Sequence, residues 1–131
     1  MKTLVKRGLV ASLLALLGNS ASADWTSIGT SAGITFYVGL GTIRKAATTS
    51  RIWTMIDFPG EQTDRTGNRF ASAKIQREFD CSEERSRILA LMEYLGSMES
   101  GNVIFTSTSI SAWNPVSPQS IDREIWKLAC N

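Results

Sequence analysis

Short runs of β-branched and aromatic residues, separated by turn-forming residues, limit the fold of this chain more than any other feature. Gly, Pro, Asn, Asp and Ser stand between the runs, which is typical of antiparallel strands with short connections. Short connections favour hairpins over crossovers. Gly39-Leu40-Gly41 is predicted to end the second strand, and Pro59-Gly60 to open a polar loop after the third. The predicted strands are residues 25–28, 34–38, 51–58, 69–81, 85–94 and 102–110.

The fifth run has a second interpretation, because its apolar residues also fit the stripe of an amphipathic helix. Against a helix, only residues 82–85 separate this run from the preceding strand. Glycines also follow it at Gly96 and Gly101, as they would follow a strand. The sequence therefore predicts a strand here.

Residues 1–23 have the three parts of a secretory signal peptide. Residues 1–7 carry three basic side chains and no acidic one, residues 9–17 are apolar, and Ala21-Ser22-Ala23 fits the small-residue cleavage pattern. The apolar run is about half of the roughly 20 residues that a membrane-spanning helix needs. We therefore predict cleavage before Asp24 and export to the periplasm, the medium or the cell surface.

Loss of this segment would change the size and the charge of the folding unit. Residues 24–131 suit one domain, because a chain of this size can bury a single core but hardly two. The formal net charge would fall from +2 to about −1, since three of the 14 basic residues leave and none of the 12 acidic ones do. A nucleic-acid partner is therefore not expected. Nor is stable membrane insertion, because no cysteine for lipid attachment lies near the cleavage site.

The chain has two cysteines, Cys81 and Cys130. In an oxidising compartment an even number of cysteines predicts a disulfide, and their wide spacing matches neither a CxxC redox motif nor a common zinc pattern. If Cys81 faces the covered side of the sheet, strand alternation divides the fourth strand into two faces. The covered face then contains Ala71, Ala73, Ile75, Arg77 and Phe79. The opposite face, predicted to meet water, contains Ser72, Lys74, Gln76, Glu78 and Asp80.

Arg77 is the exception on the covered face, and two interpretations stay open. Its long side chain could pair at the rim of the sheet, or it could contact a buried anion.

A helix is predicted at the C-terminus. Ser117 would be its N-cap, Pro118 its first residue, and Ile121, Ile125 and Leu128 its apolar stripe. A lone helix of this length is marginal by itself, so it should pack on the sheet, with Cys130 bonded to Cys81. The sequence thus predicts an α+β fold, in which a single antiparallel sheet of about six strands carries a disulfide-tied C-terminal helix on one face.

An enzyme is not expected. The chain has no histidine, which excludes Ser-His-Asp and Cys-His arrangements and the usual zinc-water sites. The carboxylate pairs, Asp57 with Glu61 and Glu78 with Asp80, are predicted to be exposed charges. Gly39 and Gly41 lack the strand-glycine-helix context of a dinucleotide site. No catalytic residue, cofactor or metal site is therefore predicted.

Basic residues on the fourth and fifth strands and their loops are the candidates for partner binding. Antiparallel pairing could bring some of them together as a basic patch. The alternative is a solvated surface neutralised by Asp80, Glu83 and Glu84. The predicted partner-binding residues are Arg65, Arg69, Lys74, Arg85 and Arg87, with Arg44 and Lys45 as a smaller second pair.

Across residues 25–131 the chain resembles the bacterial surface-adhesin protein E family. No single motif is diagnostic, but the order of tryptophans, prolines and paired cysteines is fairly specific. The segments that carry the resemblance are Trp25, Phe36-Tyr37-Val38, Thr42-Ile43-Arg44, Ile52-Trp53, Asp57-Phe58, Glu78-Phe79-Asp80-Cys81, residues 98–103, Trp113-Asn114-Pro115-Val116, Ile125-Trp126 and Ala129-Cys130.

The resemblance implies a six-stranded sheet with a disulfide-tied helix, surface display, binding to host extracellular-matrix or serum glycoproteins, and a homodimer. The founding member is a lipoprotein, whereas this chain has no lipidation cysteine near residue 24. The competing hypothesis is a soluble periplasmic module that binds an envelope component or a small molecule and has no adhesin activity.

Overall fold

A computed structural model describes residues 24–131, so the predicted signal peptide lies outside the described residues. One antiparallel sheet and one C-terminal helix make up the described chain, which confirms the predicted α+β fold. The strands are β1 (Thr26–Ser31), β2 (Ile34–Lys45), β3 (Thr49–Thr63), β4 (Arg69–Asp80), β5 (Arg85–Tyr94), β6 (Val103–Ser107) and β7 (Asn114–Pro115), followed by helix α1 (Ile121–Cys130).

The strands β1 to β6 lie in the sheet in their sequence order, and each pairs antiparallel with the next. The two-residue strand β7 pairs with the beginning of β5. The fifth run is therefore a strand and not a helix, as predicted. No helix within residues 24–131 has the length and apolar character needed to cross a bilayer.

Strands β2 and β3 are longer than predicted, because glycine and proline produce register shifts there and not strand ends. The β2–β3 pairing shifts between Gly39 and Arg44, and the β3–β4 pairing shifts between Asp57 and Gln62. Thr42 holds the first shift: its hydroxyl donates to the Gly39 carbonyl at 2.6 Å and accepts from a β3 amide at 2.9 Å. The second shift accommodates Pro59, which has no N–H for the ladder.

The core lies between the sheet and α1. Val38, Ile52 and Phe79 from β2, β3 and β4 meet Ile125 and Ala129 of the helix. Ile121 also packs against this core, whereas Leu128 is 37% exposed, so its predicted place in the buried stripe is wrong. The buried side of α1 follows i, i+4 spacing from Ile121, and Ala129 continues that spacing while Leu128 does not.

The helix begins three residues later than predicted. Ser120, not Ser117, is the N-cap, and its hydroxyl accepts a hydrogen bond from the Arg123 amide at 3.1 Å. Gln119 has a positive φ of 57°, a left-handed conformation that is incompatible with a continuing helix. Pro118 therefore lies in a turn before the helix.

The predicted disulfide between Cys81 and Cys130 is present, with the two Cα atoms 5.6 Å apart. Cys81 directly follows β4, and Cys130 is the last residue of α1. The bond therefore ties the C-terminal end of the helix to the sheet.

Candidate functional site

The face of the sheet opposite α1, here called the outer face, buries charged side chains. Glu78 and Asp80 are only 5% and 7% exposed, and Ser72 is fully buried. The prediction that this polar set faces water is therefore wrong for these three residues. Ser72 lies under the β5–β6 loop, where its hydroxyl donates to the Gly96 carbonyl at 2.7 Å. Arginines cover the two acids, and this pairing compensates for their lost hydration.

Three arginines hold these two carboxylates. Arg87 Nη2 lies 2.6 Å from Glu78 Oε1, and Arg51 Nε lies 3.4 Å from Glu78 Oε2. Arg85 Nε lies 3.1 Å from Asp80 Oδ2. Strand register produces this arrangement, because Arg51, Glu78 and Arg87 are direct partners across β3, β4 and β5, and Asp80 is the direct partner of Arg85.

Trp113 completes the group. The guanidinium carbons of Arg87 and Arg85 lie 4.2 Å and 4.7 Å from the centre of its ring, within the range of cation–π attraction. Pairing of β7 with the beginning of β5 brings the tryptophan to this position. We call this group the arginine–tryptophan cluster, made up of Arg51, Glu78, Asp80, Arg85, Arg87 and Trp113.

Arg44 borders the cluster, because it is the direct cross-strand partner of Arg51. It is exposed, and its guanidinium donates to the Gly41 and Ile43 carbonyls at 3.0 and 2.8 Å. The neighbouring Lys45 pairs with Ser50 and so projects to the other face. This end of the outer face therefore has a net positive charge, because four arginines lie near two carboxylates. The arginines are Arg44, Arg51, Arg85 and Arg87, and the carboxylates are Glu78 and Asp80.

The charge of Asp80 is stabilised locally. The pKa of Asp80 is held below its usual value, chiefly by a hydrogen bond from the Ser82 hydroxyl. Hydrogen bonds from the Glu83 backbone amide and the Arg85 guanidinium lower it further. The Ser82 hydroxyl lies 2.8 Å from Asp80 Oδ1. The carboxylate therefore stays ionised and keeps Arg85 in place. Of the acids expected to neutralise this surface, Glu84 instead pairs with Arg123 of the helix.

Lys74 lies in the middle of the outer face and is engaged within the chain. Its ammonium is 2.9 Å from Glu99 Oε1 and 5.0 Å from the centre of the Trp53 ring. The Trp25 indole N–H donates to the other Glu99 oxygen at 3.0 Å. Partial burial lowers the pKa of Lys74, but the Glu99 carboxylate outweighs it and the net pKa is raised.

Arg65 and Arg69 lie at the other end of the sheet, at the hairpin between β3 and β4. Arg69 contacts Glu61 at 3.6 Å, and both side chains are exposed. Along β4, the distance from Arg69 to Asp80 is roughly 35 Å at about 3.3 Å per residue. The five predicted partner-binding residues therefore lie in three places: Arg65 and Arg69 at this hairpin, Lys74 in the middle of the face, and Arg85 and Arg87 in the arginine–tryptophan cluster.

Sequence reasoning missed Arg51 and did not connect Trp113 with the arginines. The available signal was the alternation of charge around residues 78–87, combined with an antiparallel β4–β5 hairpin. The contribution of Trp113 depends on a two-residue strand, which no sequence pattern identified.

A second candidate site is a cavity of about 110 Å³ between α1 and the sheet. Its walls are mostly apolar, with one half-buried ion pair between Arg77 and Asp122. The lining residues include Phe36, Ile56, Arg77, Ile121, Asp122 and Ile125. Among the described residues 24–131, no three Cys, Asp or Glu side chains converge in a way that could hold a metal ion.

Comparison with protein families matches residues 25–131 to the model of the family described as Surface-adhesin protein E. No curated protein matches the chain. Solved structures of protein E from Haemophilus influenzae are similar in fold at 7% sequence identity. Crystal form II has a TM-score of 0.65 and covers 85% of this chain and 90% of that one. A second protein E structure has a TM-score of 0.63 with 85% and 86% coverage. Protein E from non-typeable Haemophilus influenzae has a TM-score of 0.58 with 86% and 78% coverage, also at 7% identity.

Proposed function

This chain belongs to the surface-adhesin protein E family, and we propose that it is an exported, non-catalytic binding protein that contacts host extracellular-matrix or serum glycoproteins. Family membership supports an adhesive role at the cell surface. The signal-peptide pattern of residues 1–23 supports export. The homodimer implied by the family resemblance is part of this proposal.

The arginine–tryptophan cluster is the observation that carries the proposal. Tryptophan and arginine are the residues that most often dominate binding energy at protein interfaces. The side chains of Arg51 and Arg85 are 56% and 42% exposed, so they can reach a partner while keeping their internal carboxylate contacts. Because Glu78 and Asp80 already position the guanidiniums, binding would immobilise little further side-chain motion. The positive surplus favours an acidic partner.

Arg44 is the cleanest residue for a test, because its side-chain hydrogen bonds within residues 24–131 go only to two backbone carbonyls. Arg44→Glu should weaken binding of residues 24–131 to an immobilised vitronectin-like glycoprotein roughly fivefold at low salt. The difference from wild type should shrink as salt is added. Surface plasmon resonance across a salt series measures both effects.

Arg65→Glu is the matched control, since it makes the same charge change at the far hairpin. It should leave the affinity nearly unchanged. Trp113→Ala should weaken binding roughly tenfold or more, as expected for a hot-spot aromatic residue. Equal weakening by Arg44→Glu and Arg65→Glu would show a general charge effect and not a site. Absence of binding by wild type would reject the adhesin proposal.

The alternative is a soluble periplasmic module that binds an envelope component or a small molecule. The cavity between α1 and the sheet supports it, since it offers mostly apolar walls and the Arg77–Asp122 ion pair. Protease treatment of intact cells separates the two functions. Digestion of the protein on intact cells supports surface display, whereas a protected, purely periplasmic pool supports the alternative.

A further inference from the structure

Three arginines of the outer face lie in one row that crosses the strands. Arg51 on β3 pairs directly with Arg44 on β2 and with Glu78 on β4. Glu78 in turn pairs with Arg87 on β5. Neighbouring strands lie about 4.8 Å apart, so the Cα atoms of Arg44 and Arg87 are separated by roughly 14 Å. We call Arg44, Arg51 and Arg87 the arginine row. It presents a line of three positive charges, interrupted by one buried carboxylate.

The internal contacts of the exposed arginines leave their terminal nitrogens available. Arg51 donates to Glu78 through Nε at 3.4 Å, and Arg85 donates to Asp80 through Nε at 3.1 Å. Within residues 24–131, neither side chain donates a hydrogen bond through Nη1 or Nη2. These two nitrogens form the fork that binds paired oxygens of a carboxylate or a phosphate, and a sulfate offers the same oxygen geometry. The internal acids therefore hold the guanidiniums in place without occupying the fork.

The next row of the outer face has a different chemical character. Trp53 pairs with Gln76, and Gln76 pairs with Ala90, so the three side chains lie beside the arginine row. All three are half-buried, as is Trp113, which contacts Arg87. A tryptophan offers an apolar ring with a polar edge, and the Gln76 amide can both donate and accept. This surface suits a sugar ring, because a sugar combines an apolar C–H face with a rim of hydroxyl groups.

We propose that the outer face binds a linear, sulfated polysaccharide of the glycosaminoglycan class. Its sulfate and carboxylate groups would contact the arginine row, and its sugar rings would lie over Trp53, Gln76 and Ala90. Such a polymer carries negative charge at regular intervals along an extended chain, which matches a line of guanidiniums, and basic patches are a known basis of heparin binding. The formal net charge of residues 24–131 is about −1, so the attraction is local to this face. The proposal rests on the binding function proposed above and specifies the chemistry of the partner.

Three probes test the ligand class: a heparin octasaccharide, the same octasaccharide after chemical removal of its sulfates, and polyglutamate of equal charge to the sulfated probe. Residues 24–131 with nitrogen-labelled tryptophan are titrated with each probe and followed by NMR. The heparin octasaccharide should produce saturable shifts of the Trp53 and Trp113 indole signals, whereas Trp126 on α1 should shift least. The other two probes should bind at least roughly tenfold more weakly.

Two outcomes of this titration would overturn the proposal. One is the absence of saturation with the heparin octasaccharide. The other is equal affinity for a control probe: equal binding of the desulfated sugar would remove the role of sulfate, and equal binding of polyglutamate would indicate an acidic protein segment as the partner.

Arg51→Gln tests the arginine row, because it removes one fork while Arg87 still holds Glu78. The affinity for the heparin octasaccharide should fall roughly fivefold, and Arg51→Lys should restore only part of it, since it returns the charge without the fork. Arg69→Gln is the matched control, because Arg69 is also exposed and also contacts a single acid. No loss in folded Arg51→Gln, or an equal loss in Arg69→Gln, would overturn the assignment. If Arg51→Gln does not fold, as judged by circular dichroism, Arg44→Gln takes its place.

Failure of this proposal can be told apart from failure of the proposed function. Wild type that binds the immobilised vitronectin-like glycoprotein but not the heparin octasaccharide would overturn the polysaccharide proposal and leave the adhesin function standing. Wild type that binds the octasaccharide but not the glycoprotein would support the polysaccharide proposal and reject that matrix partner.

Discussion

The two faces of the sheet bury charged side chains in opposite ways. On the outer face Glu78 has two arginine partners, and Asp80 accepts hydrogen bonds from Arg85 and from the turn that follows it. On the face covered by α1, three buried side-chain atoms have no hydrogen-bond partner among the described residues: Ser50 Oγ, Arg77 Nε and Glu93 Oε2. The outer face therefore satisfies its buried charges internally and leaves a positive surplus exposed, whereas the helix-covered face keeps buried polar atoms that have no internal partner.

Removal of the disulfide should have the largest effect on stability, and it should affect the two faces unequally. Cys81→Ser with Cys130→Ser should lower the free energy of unfolding by about 4 kcal/mol, because a closed loop of about 50 residues is released in the unfolded chain. The helix-covered face should suffer most, since Cys130 ends α1. Urea denaturation followed by circular dichroism measures the loss, with reduced wild type as the control. Equal stability of the double variant and oxidised wild type would contradict a structural role for the bond.

Substitution on the outer face should have the next largest effect. Arg87→Met leaves the buried Glu78 with only the 3.4 Å contact to Arg51, and we expect a loss of about 2 kcal/mol. Adding Glu78→Gln should recover part of this loss, because the unpaired charge is then removed. Chemical denaturation of the two single variants and the double variant completes the cycle. Strictly additive effects would show that the pair is not coupled.

Substitution of Glu93, on the helix-covered face, should have the smallest effect on stability and the clearest pH dependence. Glu93 is 4% exposed. Its burial is the main cause that raises its pKa to about 7, and the hydrogen bond with Asp64 and the negative charge of Asp64 add to the shift. When protonated, the Glu93 carboxyl can donate to Asp64, whose own pKa is lowered to about 2 because hydrogen bonds from Thr66 and Asn68 outweigh its desolvation.

The raised pKa fixes the sign of the effect. The pKa of Glu93 is 4.5 in the unfolded chain and about 7 in the folded chain. The contribution of protonated Glu93 to stability is therefore fully present below pH 4.5 and is lost as the pH rises through about 7. Glu93→Gln keeps a donor and cannot ionise, so its Tm should exceed that of wild type by several degrees at pH 8, where about 1 kcal/mol corresponds to 4–8 °C. Glu61→Gln, an exposed control, should follow wild type. Parallel Tm profiles for Glu93→Gln and wild type would contradict this pH dependence.

Most of the fold follows from local sequence patterns. Alternation and turn residues predicted about six antiparallel strands with short connections, and the cysteine pair predicted how the helix is attached. Errors occurred where glycine and proline stand inside β2 and β3, because the same residues that end a strand also permit a bulge within one. The helix start was misplaced for a related reason: Ser117 and Ser120 are equally good N-caps by type, and only the left-handed Gln119 excludes the earlier one.

The sequence by itself determined that this chain builds an antiparallel sheet with a cysteine-tied helix, because strand alternation, turns and cysteine number are properties of neighbouring residues. Only the tertiary structure decided which charges are buried and which form a site. Glu78 meets Arg51 and Arg87 through register across three strands, and Trp113 reaches the arginines through the short strand β7. Such contacts depend on pairing distances and bulges between segments far apart in the chain, and a one-residue shift in register would send every one of these side chains to the opposite face.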